Sequence, residues 1–277
     1  NKKIFKNTFF LIILAELLSF LGYYYPAINS SAFFIIVVLT IFISLKRLEY
    51  GLCILLAELF IGSFGYLFYF ETGGSRISLR LALWLIIMSV WLAGAIIKLA
   101  KTKKLELDFL KNRGLAAFVI LLIFVGWGLV NGLINGNLLN NIFFDFNNWL
   151  YFLLVFPIFS VIWNDHNLKN IEQIFLASIA WLSVKTIFLA YVFTHNFNGF
   201  DLEIYGWIRT HGLGEITQTA AGSSRIFMQS QIFVLIGFFI LLVYLLTVIA
   251  RSPANRNGEA ISGTTPIHQA GFPLRFT

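Results

Sequence analysis

Eight stretches of the chain are apolar along nearly their whole length, at residues 7–25, 32–45, 50–70, 80–98, 115–134, 149–164, 173–193 and 226–250. None shows the strict polar–apolar alternation of a barrel strand. Each is long enough, or nearly so, to cross about 30 Å of hydrocarbon as a helix. The second is short and is expected to recruit Ala27–Ser31. The first is flanked by lysines, as a signal peptide is. It lacks a small-x-small cleavage site before Pro26 and is kept as a spanning helix. The pattern predicts an all-α, polytopic membrane bundle of about eight helices over residues 1–250. A polar tail follows at 251–277, rich in Gly, Pro and Ser, and is expected to be disordered or truncated.

Composition agrees with that pattern. Of 277 residues, 58% are hydrophobic and 12% charged, against about 25% charged for soluble domains. The net charge is +7, but its distribution matters more than its sum. Fifteen basic residues fall on one set of segments, at Lys2–Lys6, Lys46–Arg47, Lys98–Arg113, Lys169 and the tail. The alternate set carries four, Arg76, Arg80, Arg209 and Arg225, and Lys185 lies inside a span. The excess of Lys and Arg on cytoplasmic loops then puts both termini inside and the four arginines outside. The basic stretch Lys98–Gly114 reads as an amphipathic surface segment drawn to anionic lipid. One cysteine, Cys53, excludes an intramolecular disulfide and disfavours a thiolate metal site.

The outer loops hold the candidate chemistry. All four outward cations are arginines, whose planar fork grips phosphate oxygens in pairs. Anchoring of helix ends to lipid phosphate is the plainer role for any one of them. The loop Thr194–Arg225 exceeds 30 residues and mixes Ile204, Tyr205 and Trp207 with charges, so it is expected to fold. Within it, "WIRTHG" sets His211 two residues after Arg209, where a histidine has the pKa range of a general base. Glu16, Glu58 and Lys185 fall inside spans, and Lys185 is expected to pair with one of the two acids. Asp145, beside Asn147 and Asn148, is a candidate for a sugar hydroxyl. Arg76 and Glu215 are further candidates. No HExxH or DxD motif or zinc-like spacing occurs.

Four segments carry a likeness to a known family. "LEYGLCILLAELFIGSFGYLF" (Leu48–Phe68) leads into "SLRLALWLIIMSVWL" (Ser78–Leu92), and a basic cytoplasmic loop follows. "DFNNWLYFLLVFPIF" (Asp145–Phe159) enters a span with a central proline, and an outer loop ends in "GSSRIFMQSQIF" (Gly222–Phe233). Together they resemble the bacterial O-antigen ligase/polymerase superfamily. The resemblance implies transfer or polymerisation of a glycan from undecaprenyl diphosphate onto an acceptor, at the outer face of the cytoplasmic membrane. It implies an inverting glycosyltransferase with no metal, no cofactor and no nucleic-acid partner, served by a lipid-linked glycan, a glycan or lipid acceptor and membrane lipids. Carried over, Arg80, Arg209 and Arg225 would hold the diphosphate and His211 would activate the acceptor. Members usually have ten or more spans, so the chain is expected to be part of a longer protein. Three other readings remain, one of them a structural membrane subunit without chemistry, against which the long charged outer loop argues. A multi-span polyprenyl-phosphate-sugar glycosyltransferase would want an acid in the first outer loop, and "PAINSS" has none. A lipid-linked glycan transporter would use Glu16, Glu58 and Lys185 along a path.

Overall fold

A computed structural model describes residues 2–73, 75–102, 113–162, 165–195, 197, 199–218 and 224–250. The described chain is predominantly helical, with α1 (Lys2–Tyr24), α2 (Pro26–Lys46), α3 (Leu48–Ile61), α4 (Leu79–Thr102), α5 (Arg113–Ile134), α6 (Leu139–Leu150), α7 (Val155–Ile162), α8 (Asp165–His195), α9 (Phe200–Thr210) and α10 (Gln231–Ala250). Two antiparallel hairpins interrupt it: β1 (Tyr69–Thr72) with β2 (Ser75–Ser78), and β3 (Glu215–Gln218) with β4 (Ser224–Phe227). Among the described residues, six helices are long and apolar enough to cross a membrane: α1, α2, α4, α5, α8 and α10. The chain is thus a helical membrane protein. The tail and the Lys103–Lys111 part of the basic stretch lie outside the described residues.

Two of the eight expected spans take another form. The run at 50–70 is helical only to Ile61, 14 residues from Leu48. At 1.5 Å per residue that is about 21 Å, short of the hydrocarbon thickness. The helix stops at Gly62 because the next turn bends back: Ser63 has φ of 48° and Gly65 of 88°. A Cβ at Gly65 would lie 2.6 Å from that of Arg80, so glycine is required there both by φ and by space. The run at 149–164 is broken as well. It divides into the end of α6, a 3-10 turn at Tyr151–Leu154 and the short α7 with Pro157 near its start. The second run does extend backwards, since Pro26 opens α2 where its missing N–H costs nothing.

The chain divides into two compact units, Asn1–Val234 and Leu235–Thr277. The described part of the second is the remainder of α10, apolar and exposed to Val248. In the first unit α1, α2, α3, α4 and α8 pack together. Leu52, Leu55, Leu83, Ile87, Leu182 and Leu189 form the centre of its core. Outward positions such as Phe10, Ile35, Phe42 and Ile187 are also apolar, as a lipid-facing surface requires. Because α1 ends, α2 begins, α3 ends, α4 begins and α8 ends at one end of this unit, both hairpins and α9 gather there as a cap.

Candidate functional site at the capped end

The cap is assembled by polar side chains rising from the helix ends. Asn29, one turn into α2, takes both backbone groups of Tyr69: its Nδ2 donates to the carbonyl at 2.8 Å and its Oδ1 accepts from the N–H at 3.3 Å. Ser19 of α1 donates to the Leu67 carbonyl at 2.7 Å and accepts from Trp207 Nε1 at 3.1 Å. Ser63 joins the two loops by donating to the Leu213 carbonyl at 2.7 Å, and its Oγ lies 3.2 Å from that of Ser230. Phe64 N–H donates to the Gly212 carbonyl at 3.3 Å. Left unpaired, each such buried group would cost about 1–3 kcal/mol, so the cap is held shut by the requirement to satisfy them.

Two buried ion pairs lie beneath. Arg80 Nε donates to Glu58 Oε2 at 2.8 Å, Nη2 donates to Oε1 at 3.3 Å, and Nη1 donates to the Ser63 carbonyl at 2.6 Å. Both side chains are less than a tenth exposed. The Arg80 fork is therefore already occupied by a carboxylate and a carbonyl, and its place is inside the cap rather than facing a diphosphate. Of the two acids open to Lys185, the partner is Glu16: the ammonium lies 2.9 Å from Oε1 and 2.8 Å from Oε2. Trp207 of α9 sets its ring over the same ammonium at 5.0 Å. A cavity of about 350 Å³ adjoins this pair, walled by Phe20, Trp181, Phe188 and Trp207.

His211 follows α9 and is fully buried, with Tyr23, Tyr69 and Trp207 rings around it. Its Nδ1 lies 3.1 Å from the Trp207 carbonyl. A carbonyl only accepts, so Nδ1 carries the proton and Nε2 a lone pair. That Nε2 is buried without a partner among the described residues. Burial lowers the His211 pKa from 6.5 to about 4. The bond to Trp207 works against that shift, and the nearby Arg76 charge adds to it. The imidazole is neutral at pH 7, but it is enclosed and weakly basic.

The other three arginines expected to face outward are exposed. Arg76 on β2 pairs with Glu71 at 2.7 Å, lies over the Tyr69 ring at 4.7 Å and donates to the Thr210 carbonyl at 3.3 Å. Arg209 donates to the Tyr205 hydroxyl at 2.9 Å. Arg225 on β4 is opposite Thr217, so it shares a face with Glu215 and Phe227 while Ile216 and Ile226 face the other way. Arg76 reaches the Thr210 carbonyl at the end of α9, the helix that carries Arg209, whereas Glu215 and Arg225 belong to the second hairpin. Asp145 falls within α6.

The sequence pattern missed Ser19, Asn29, Ser63 and Trp207 as organisers of the cap. Small hydroxyls and one amide near helix ends carry no signal until their backbone partners, up to 150 residues away, are known. Among the described residues no group of three or more His, Cys, Asp or Glu side chains is placed to hold a metal ion. No protein-family model, no characterised protein and no solved structure matches the chain.

Proposed function

We propose that the protein transfers a glycan from a polyprenyl diphosphate to an acceptor hydroxyl at its capped end, on the outer face of a bacterial cytoplasmic membrane. The observation that carries this reading is a folded cap, built from loops far apart in sequence, whose exposed cations are all arginines: Arg76, Arg209 and Arg225. Guanidinium groups at headgroup level stabilise the charge that gathers on a departing diphosphate. In the reaction the acceptor oxygen attacks the anomeric carbon, and the bond from that carbon to the diphosphate breaks with inversion. The diphosphate leaves on its lipid, and the acceptor proton passes to a base. Arg209 and Arg225 are the diphosphate ligands, and Arg76 braces the end of α9 through the Thr210 carbonyl. Arg80 positions the loop at Ser63 through its bond to that carbonyl. His211 keeps the neutral ring and free Nε2 that a base needs. Its role requires a conformation in which the ring meets the acceptor and its pKa returns towards 6.5.

The test is transfer in liposomes supplied with a polyprenyl-diphosphate glycan. Arg225→Ala and Arg209→Ala abolish product formation, while Lys169→Ala, at the opposite end of α8, leaves it unchanged. Equal activity in all three variants overturns the reading. A transport reading draws on the Glu16–Lys185 pair beside its cavity. It expects flux of lipid-linked glycan to stop in Lys185→Met with Arg225→Ala still active.

A further inference from the structure

A cavity larger than the one beside Lys185 lies among the helices. It measures about 620 Å³ and is lined by α1, α2 and α3, with Leu79 and Leu83 of α4 and Ile174 of α8 behind. Two of its polar side chains are already engaged. Thr40 donates to the Ile36 carbonyl at 2.7 Å, and Glu58 is held by Arg80. Apart from Thr8, Tyr50 and Cys53, the rest of the wall is hydrocarbon. Leu67 and Phe68, almost wholly buried, close it beneath the cap. Between α1 and α2 it is bordered by Leu11, Leu14, Ile35 and Leu39, which are exposed on what is the lipid side of a membrane protein. An apolar void excludes water, so a membrane chain is what fills it.

The end away from the cap shows which chain. On α2 the cavity face runs through Ile36, Thr40 and Ile43, and the helix ends just beyond at Lys46, with Arg47 as its extended C-cap. Tyr50 lines the cavity there, with the Arg47 guanidinium 5.8 Å from its ring centre. Lys46 and Arg47 are exposed, and no salt bridge holds either among the described residues. Lys2, Lys3 and Lys6 stand at the same end of α1, and the acid Glu49 follows in the first turn of α3. An apolar slot with two unneutralised cations at its mouth matches a lipid with a hydrocarbon chain and an anionic head.

We infer that the α1–α2–α3 cavity binds one anionic glycerophospholipid, with an acyl chain in the cavity and its phosphate at Lys46 and Arg47. The site is separate from the cap, and it holds whether or not the protein transfers glycans. The bound chain completes the packing between α1 and α2, which are joined only by Tyr25 at their other ends.

The experiment uses the full chain in nanodiscs of equal phosphatidylglycerol and phosphatidylcholine, released into detergent and weighed intact by native mass spectrometry. The wild type retains one phosphatidylglycerol per chain. At about a fivefold gain for each cation near the headgroup, Lys46→Gln with Arg47→Gln lowers the phosphatidylglycerol preference roughly 30-fold. Ala57→Phe fills the cavity from α3 and removes retention of both lipids. Ala15→Phe fills it from α1 and serves as the second variant should the first fail to fold. Equal retention of the two lipids by the wild type overturns the headgroup assignment. Unchanged retention in a folded cavity-filled variant overturns the site.

Discussion

Lys185→Met leaves the Glu16 carboxylate 4% exposed inside the bundle with its cation gone. Both carboxylate oxygens now lie within 3 Å of the ammonium, and the Trp207 ring covers it from the cap side. Removing one partner of such a pair costs about 3–5 kcal/mol, since the remaining charge must stay desolvated or take up a proton. Replacing both partners by residues of similar volume is often neutral or stabilising. The expected result is therefore asymmetric. Lys185→Met destabilises by several kcal/mol and Glu16→Met by a comparable amount. The double variant lies close to the wild type, with only the cation–π contact of about 0.5–2 kcal/mol still lost. Equilibrium unfolding of the reconstituted protein by steric trapping measures all four corners of the cycle. A double variant that loses the sum of the two single losses has no coupling, and would show that the ion pair is not what joins α1 to α8.

His211 sets a pH dependence. Its folded pKa of about 4 is below the unfolded 6.5, so the unfolded chain binds the extra proton first. Its contribution is complete above pH 6.5 and is lost as the pH falls towards 4, by at most about 3 kcal/mol. Unfolding measured across that window shows a flatter slope in His211→Phe, and an identical slope would refute the assignment. Gly65→Ala, with φ of 88° and no room beside Arg80, loses more than about 1 kcal/mol and loosens the loop at Ser63. Wild-type stability in that variant, by the same unfolding measurement, would contradict the strain. Leu202 on α9 is 70% exposed, so Leu202→Cys in a Cys53→Ser background reacts with a membrane-impermeant maleimide from outside the cell. Labelling only after the membrane is permeabilised would reverse the sidedness.

Hydropathy made α1, α2, α4, α5, α8 and α10 legible, because a helix facing lipid is apolar over its whole length. The same measure was blind at Gly62–Phe68. Phe64, Tyr66, Leu67 and Phe68 are apolar, but Leu67 and Phe68 are buried by protein, and a window average cannot tell that from lipid. Charge counting made Lys185 suspect and left its partner open. The choice of Glu16 depends on α1 packing beside α8, while Glu58 is claimed by an arginine 22 residues on. The loop after α8 was expected to fold, and α9 does. That its histidine would be enclosed was not readable, since the enclosing rings of Tyr23 and Tyr69 come from the first quarter of the chain.

Ser63 has a consequence for the order of assembly. Its hydroxyl waits for a carbonyl 150 positions further along, and its own carbonyl steadies a guanidinium within the early helices. During synthesis the first four helices can insert and settle long before Leu213 leaves the ribosome. Until then this turn stands open to headgroups and solvent, and closing it is among the last steps by which the protein matures.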